Sequence, residues 1–262
     1  MTAPRPDVIE AGHGPRLLLV HSSVAGARQW RALIAALQDR YHLIAPNLYG
    51  YGATPPWTGP LPQTLADQAH LLDPLLPTDQ RTTLIGHSFG GSVAIKAAEL
   101  YPDRVDRMIL IEPNPFHLLV QADRQSALDE IRPLHSAIKT AGDRGDWPAA
   151  ARIFADYWTG DGSWDAMPAN RQAKFAEALK PNFHEWDAVM SETAPLATWA
   201  AALPQNTTVI SADDTVDAIL QIEALLHAAC PHWRFEKLPK GGHMAALTHP
   251  EAILPLIEAA LT

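Results

Sequence analysis

A chain of 262 residues, 47% hydrophobic and 19% charged, has enough apolar material for one large core plus an insertion, which excludes disorder and a collagen-like repeat. Twenty Lys and Arg against 29 Asp and Glu leave a formal charge of −9, the opposite of the basic footprint that nucleic acid or an anionic membrane surface requires, so neither is an expected partner. The single cysteine, Cys230, can make neither an intramolecular disulfide nor a Cys-x-x-Cys metal knuckle, and reads as a small buried group beside Pro231.

From the N-terminus, Met1 to Glu10 carries Arg5, Asp7 and Glu10 with two prolines and lacks the apolar stretch of a signal peptide. No apolar run approaches the ~20 residues of a membrane span, so a cytoplasmic chain is expected. Short runs of branched apolar residues then alternate with longer amphipathic segments. Leu17–Val20, His42–Ala45, Thr82–Ile85, Arg107–Ile111, Thr207–Ser211 and Trp233–Leu238 are the expected buried strands. Ala27–Leu37, Leu61–Leu76, Ser92–Leu100 and Ala218–Ala229 are the expected helices. This rhythm predicts an α/β fold with a mostly parallel sheet covered by helices on both faces.

Between Asn114 and about Leu203 the strand rhythm stops and the text turns helical, punctuated by Pro133, Pro148, Pro168, Pro181 and Pro195. Five of the eight tryptophans (147, 158, 164, 186 and 199) fall there, either filling a helical core or lining an apolar pocket. The expected organisation is a core domain of 1–113 and 204–262, interrupted by a helical cap over 114–203.

After the strand Thr82–Ile85 comes Gly86-His87-Ser88-Phe89-Gly90-Gly91 and then a helix. G-x-S-x-G in this context is a sharp turn that strains the serine backbone and holds its hydroxyl out at the C-terminal edge of a sheet. Ser88 is thus the candidate nucleophile. With these residues in place, the chain resembles the α/β-hydrolase family over most of its length, most loosely in the cap. The resemblance implies further parts. Gly241-Gly242-His243-Met244 is similar to the loop carrying the catalytic histidine, which makes His243 the general base. His87, at the motif's variable position, and His21, at a strand end, are given structural roles. Leu17-Leu18-Leu19-Val20-His21-Ser22-Ser23 is similar to the family's His-Gly-x strand end, with Ser22 in place of the glycine. It implies an oxyanion hole from the backbone N–H groups of Phe89 and Ser23, with Ser22 or Val24 as neighbouring choices. Asn47, where relatives often carry an aspartate, is assigned a structural role.

The histidine needs a carboxylate partner, and two places offer one. The loop Ser211-Ala212-Asp213-Asp214-Thr215 is acidic, but the resemblance puts the usual acid position on Thr215, one residue after Asp214. Glu112, ending Arg107–Ile111, occupies the position to which some relatives move the acid. Glu112 is the choice, with Asp214 and then Asp213 as alternatives.

The resemblance implies acyl transfer through a Ser-His-acid triad without metal or organic cofactor, acting on a small-molecule substrate. A small or medium, largely apolar ester is the expected substrate, with Tyr49, Trp57 and Trp158 as expected binding residues. Lactone, thioester or carbon–carbon bond hydrolysis, perhydrolysis and acyl transfer to an alcohol share the constellation and stay open, as does a homodimer. A non-catalytic ligand-binding protein of the same fold is the alternative from another class.

Overall fold

The computed structural model describes residues 4–262. Seven strands form one sheet: β1 (Val8–Gly12), β2 (Arg16–Val20), β3 (His42–Pro46), β4 (Thr82–His87), β5 (Val105–Ile111), β6 (Asn206–Ala212) and β7 (Arg234–Leu238). The order is β1-β3-β2-β4-β5-β6-β7, with β1 antiparallel to β3 and every other pair parallel. All six expected strands are present. The seventh, β1, was not anticipated: it is a half-exposed edge strand with only Val8 and Ile9 as large apolar residues, too little for a periodicity signal.

Residues of alternating parity along the strands feed two cores. Leu18, Val20, Ile44, Leu84, Met108, Leu110 and Val209 face one side, where they meet α2 (Leu65–Leu72), α3 (Phe89–Leu100) and α10 (Asp217–Ala229). Leu17, Leu19, Leu43, Ala45, Ile85, Ile109, Ile111 and Ile210 face the other, covered by a 3₁₀ turn (Ala27–Trp30), α1 (Arg31–Leu37) and α12 (Pro250–Leu261). This double burial explains why the central strands read as continuous apolar runs. Helix α2 begins later than expected because Thr64 and Asp67 form a reciprocal capping box, Thr64 Oγ1 accepting from Asp67 N and Asp67 Oδ2 accepting from Thr64 N.

Between β5 and β6 lie α4 (His117–Gln121), α5 (Gln125–Asp143), α6 (Trp147–Thr159), α7 (Ala169–Ala178), α8 (Asn182–Ser191) and α9 (Leu196–Ala202), without a strand. Pro148, Pro168, Pro181 and Pro195 stand at helix starts, as expected. Pro133 instead lies inside α5, so it does not punctuate the segment. The strand register sets the site. His87 pairs with Ile111, and Ile111 with Ile210, so β4 and β5 end level while β6 runs two residues further, to Ala212, and Ser88 and Glu112 emerge side by side at one sheet edge.

Candidate active site

Ser88 follows β4 directly, with φ 54° and ψ −121°. Its N–H donates to Ile111 O at 2.9 Å, so the ladder holds the turn on one side while α3 starts on the other. The turn requires glycine at both flanks. A Cβ on Gly86 would stand 2.4 Å from the carbonyl oxygen of Gly90, and one on Gly90 would stand 2.2 Å from that of Val20. Glu112, the residue after β5, also has positive φ (46°), and its N–H donates to Ile210 O at 2.9 Å.

These two strand ends meet His243, which lies just ahead of α11 (Ala245–Thr248). His243 Nε2 is 2.8 Å from Ser88 Oγ, and its Nδ1 is 2.8 Å from Glu112 Oε2. A carboxylate can only accept, so the ring carries its proton on Nδ1, and Nε2 accepts from the serine hydroxyl. All three side chains are buried, with residue exposures of 4% for Ser88, 2% for Glu112 and 4% for His243. Glu112 also accepts from Ala212 N at 2.7 Å and from Thr215 Oγ1 at 2.5 Å. Burial by itself would raise this carboxyl. The His243 hydrogen bond and charge, with the two further donors, outweigh it and hold the group below the usual carboxylate range.

Asp214, the alternative acid, has another partner set. Its oxygens accept from Gly242 N at 2.8 Å and Gly241 N at 3.2 Å, bracing the loop just ahead of His243. Those backbone bonds lower its carboxyl. Asp213 is exposed.

His87 is fully buried, and its Nε2–H donates to the His243 carbonyl at 2.9 Å while Nδ1 accepts from Gln29 Nε2 at 3.0 Å. Burial first, and the neighbouring His243 second, push its pKa down to about 3, so it stays neutral. His21 is likewise buried and pushed down to about 4; its Nδ1–H donates to Ser22 O at 2.7 Å, and its Nε2 accepts from Leu48 N at 3.0 Å. Asn47 ties loops together, accepting from Ala27 N at 2.9 Å and donating to Asp7 at 2.8 Å.

Ser23 and Phe89 both line a small cavity beside Ser88. Among the described residues, neither backbone N–H has a protein acceptor, so two free donors belong to residues lining the cavity that holds the hydroxyl. Phe116, Phe154, Trp158 and Trp186 close the cavity, leaving about 10 Å³, room for about one water. Trp158 also stacks on His243, centroids 3.9 Å apart and planes at 28°. Tyr49 and Trp57, expected beside Trp158 in the substrate-binding set, do not line this cavity. They pack edge to face at 5.1 Å and line a separate cavity of about 730 Å³ that shares no residue with the one at Ser88. Trp147 and Phe183 of the helical segment line the same cavity.

Glu185 of α8, 1% exposed, also lines the Ser88 cavity, and sequence reasoning missed it: a lone acid in a polar-rich helical stretch carries no motif. Among the described residues no group of three or more His, Cys, Asp or Glu side chains is arranged to hold a metal ion, and no helix is long and apolar enough to cross a membrane.

An uncharacterized protein of Mycobacterium tuberculosis (strain ATCC 25618 / H37Rv) is 36% identical over 103 residues, 38% of this chain and only 30% of that protein's length. A protein of Aromatoleum aromaticum named pimeloyl-[acyl-carrier protein] methyl ester esterase is 29% identical over 271 residues, covering 93% of this chain and 97% of the relative. The structure superposes on MGS-M2, an alpha/beta hydrolase enzyme from a Medee basin deep-sea metagenome library, with TM-score 0.78 at 15% identity, covering all of this chain and 96% of that one. The model of the alpha/beta hydrolase family matches residues 17–256, nearly the whole chain. On that match, together with the seven-stranded fold, the chain belongs to the alpha/beta hydrolase family.

Proposed function

We propose that the protein is a serine hydrolase that cleaves a small or medium, largely apolar carboxylic ester through an acyl-enzyme, with Ser88, His243 and Glu112 as its triad. The observation that carries this reading is the unbroken hydrogen-bond chain Ser88–His243–Glu112 at 2.8 Å per link. Ser88 Oγ gives its proton to His243 Nε2 and attacks the carbonyl carbon. The carbonyl electrons move onto oxygen, which the N–H groups of Phe89 and Ser23 receive. As the tetrahedral species collapses, the His243 proton passes to the departing alkoxide. Water then repeats the sequence, losing its proton to the same nitrogen and releasing the acid and free Ser88. Glu112 holds the ring's tautomer and stabilises the imidazolium.

The helical segment from α4 to α9 acts as a cap over this site. With about 10 Å³ free beside Ser88, it must shift for substrate to enter. The aromatic wall of Phe116, Phe154, Trp158 and Trp186 favours an apolar group. The esterase name carried by the Aromatoleum relative, matched along nearly its full length, supports an ester over the other bonds this triad can open.

The test is intact mass and peptide mapping after a fluorophosphonate, beside Ser88→Ala, followed by p-nitrophenyl esters of graded chain length with lactones and thioesters alongside. A single adduct on the Ser88 peptide, absent from the variant, and turnover of short esters are expected. A wild-type chain that takes no adduct, under conditions labelling a control esterase, overturns the proposal.

A further inference from the structure

Glu185 sits one turn into α8 with its carboxylate turned toward the sheet. It accepts from Ser23 Oγ at 2.5 Å, Tyr51 OH at 2.9 Å and Asn182 Nδ2 at 3.1 Å. No Lys or Arg pairs with it among the described residues, so its charge rests on hydrogen bonds alone. A buried carboxylate without a counter-cation is an expensive way to seat a helix, which an apolar side chain would do better.

Two of its partners, Ser23 and Tyr51, lie on loops of the sheet, after β2 and after β3. Tyr51 OH, besides donating to Glu185, accepts from Val24 N at 3.0 Å. Val24 has φ 70°, a conformation that a β-branched residue adopts only when its surroundings enforce it. Glu185 thus grips residue 23 by its hydroxyl and residue 24 through the tyrosine. The peptide plane just before is held from the other side, since Ser22 O accepts from His21 Nδ1–H at 2.7 Å and from Ala25 N at 3.4 Å. In a trans peptide the Ser22 carbonyl and the Ser23 N–H point opposite ways, so fixing that carbonyl fixes the direction of the free N–H.

We propose that Glu185 is a positioning residue for the oxyanion hole: docking of α8 clamps the Ser22–Val24 turn and sets the Ser23 N–H toward the oxygen of the tetrahedral intermediate. This rests on the acyl-transfer reading above. The clamp needs a carboxylate. Tyr51 OH takes the Val24 N–H and gives its own proton to Glu185, and Ser23 Oγ takes an Asn182 N–H and does the same. A glutamine places an NH₂ against one of these donors. The cap is then part of the catalytic apparatus, completing it only when seated.

The test compares Glu185→Gln and Tyr51→Phe with wild type on one p-nitrophenyl ester. It also measures affinity for a short-chain trifluoromethyl ketone, to which Ser88 Oγ adds, its proton passing to His243 while the carbonyl oxygen becomes anionic. Each variant is expected to lose about 10- to 100-fold in kcat with KM changed less than about threefold, a fraction of what deleting an oxyanion donor costs. Trifluoromethyl ketone affinity should fall in step with kcat/KM, while affinity for the carboxylate product stays level. The double variant should be no slower than the slower single one, because both break one clamp. Folded variants with kcat within about twofold of wild type, or a loss confined to KM, overturn the proposal. If Glu185→Gln does not fold, Tyr51→Phe decides by the same criteria. Should wild type itself fail to label at Ser88, the hydrolase reading falls; labelling of wild type with unimpaired variants removes only the clamp.

Discussion

Thr215 donates its hydroxyl to Glu112 Oε2 at 2.5 Å, the same oxygen that receives His243 Nδ1–H. Thr215 stands where the family resemblance puts an acid, and here it donates to the carboxylate that ends the neighbouring strand. The loop after β6 therefore reaches His243 indirectly, through Thr215 and Ala212 N on Glu112 and through Asp214 on Gly241 and Gly242.

Glu112→Gln is expected to lower kcat by about 10³- to 10⁴-fold, since an amide NH₂ facing Nδ1 forces the wrong tautomer. Asp214→Asn keeps an acceptor for one glycine N–H and should cost less than about tenfold. Steady-state kinetics of both on one ester check the order; a greater loss in Asp214→Asn would make that residue the functional acid.

Trp158 packs flat against His243 and closes the Ser88 cavity. Trp158→Ala should lower unfolding free energy by about 3 kcal/mol, the range for truncating a buried aromatic. It should also raise kcat/KM for longer acyl chains relative to acetyl by about tenfold. Urea unfolding and an ester chain-length series read the two effects separately.

His21, His87 and His117 are held neutral, their pKa values pushed down to about 4, 3 and 4, by burial first in each case. Unfolded, each titrates near 6.5, so the unfolded chain binds more protons on acidification. Stability is full above pH about 6.5 and is lost as pH falls toward the folded values, at about 1.4 kcal/mol per pH unit for each ring. Glu185, which burial pushes upward against its hydrogen bonds, acts with the opposite sign. His117→Asn, remote from the triad, should reduce the slope of unfolding free energy between pH 6 and 5 by about 1.4 kcal/mol per unit. An unchanged slope would mean that the ring is protonated in the fold.

Gly90→Ala should disable the site through the backbone. Its Cβ would lie 2.2 Å from Val20 O and 2.4 Å from His21 O, neither of which is a flexible side chain that could swing away. A loss of at least about 2 kcal/mol in stability and of fluorophosphonate uptake at Ser88 is expected. Wild-type labelling in Gly90→Ala would show that the turn has more room than its contacts indicate.

Local sequence determined what repeats or turns. Strands buried on both faces are unbroken apolar runs, and the elbow at Ser88 is a dense local pattern whose glycines have no substitute; hence the α/β class and the sharp turn at Ser88 were legible. Residues joined across the fold were not. Which carboxylate faces His243 depends on the register that brings the ends of β4 and β5 side by side, and spacing alone leaves Glu112, Asp214 and Asp213 open. Tyr49 and Trp57 line a cavity separate from the one at Ser88, while Trp158 comes onto His243 from α6. Glu185 and Ser23 are 162 residues apart and meet only because α8 folds over the sheet edge. A short-range pattern records the geometry of its own turn or strand; which polar groups end up paired in the interior is decided by packing between elements, where each buried charge must find its donors or remain costly.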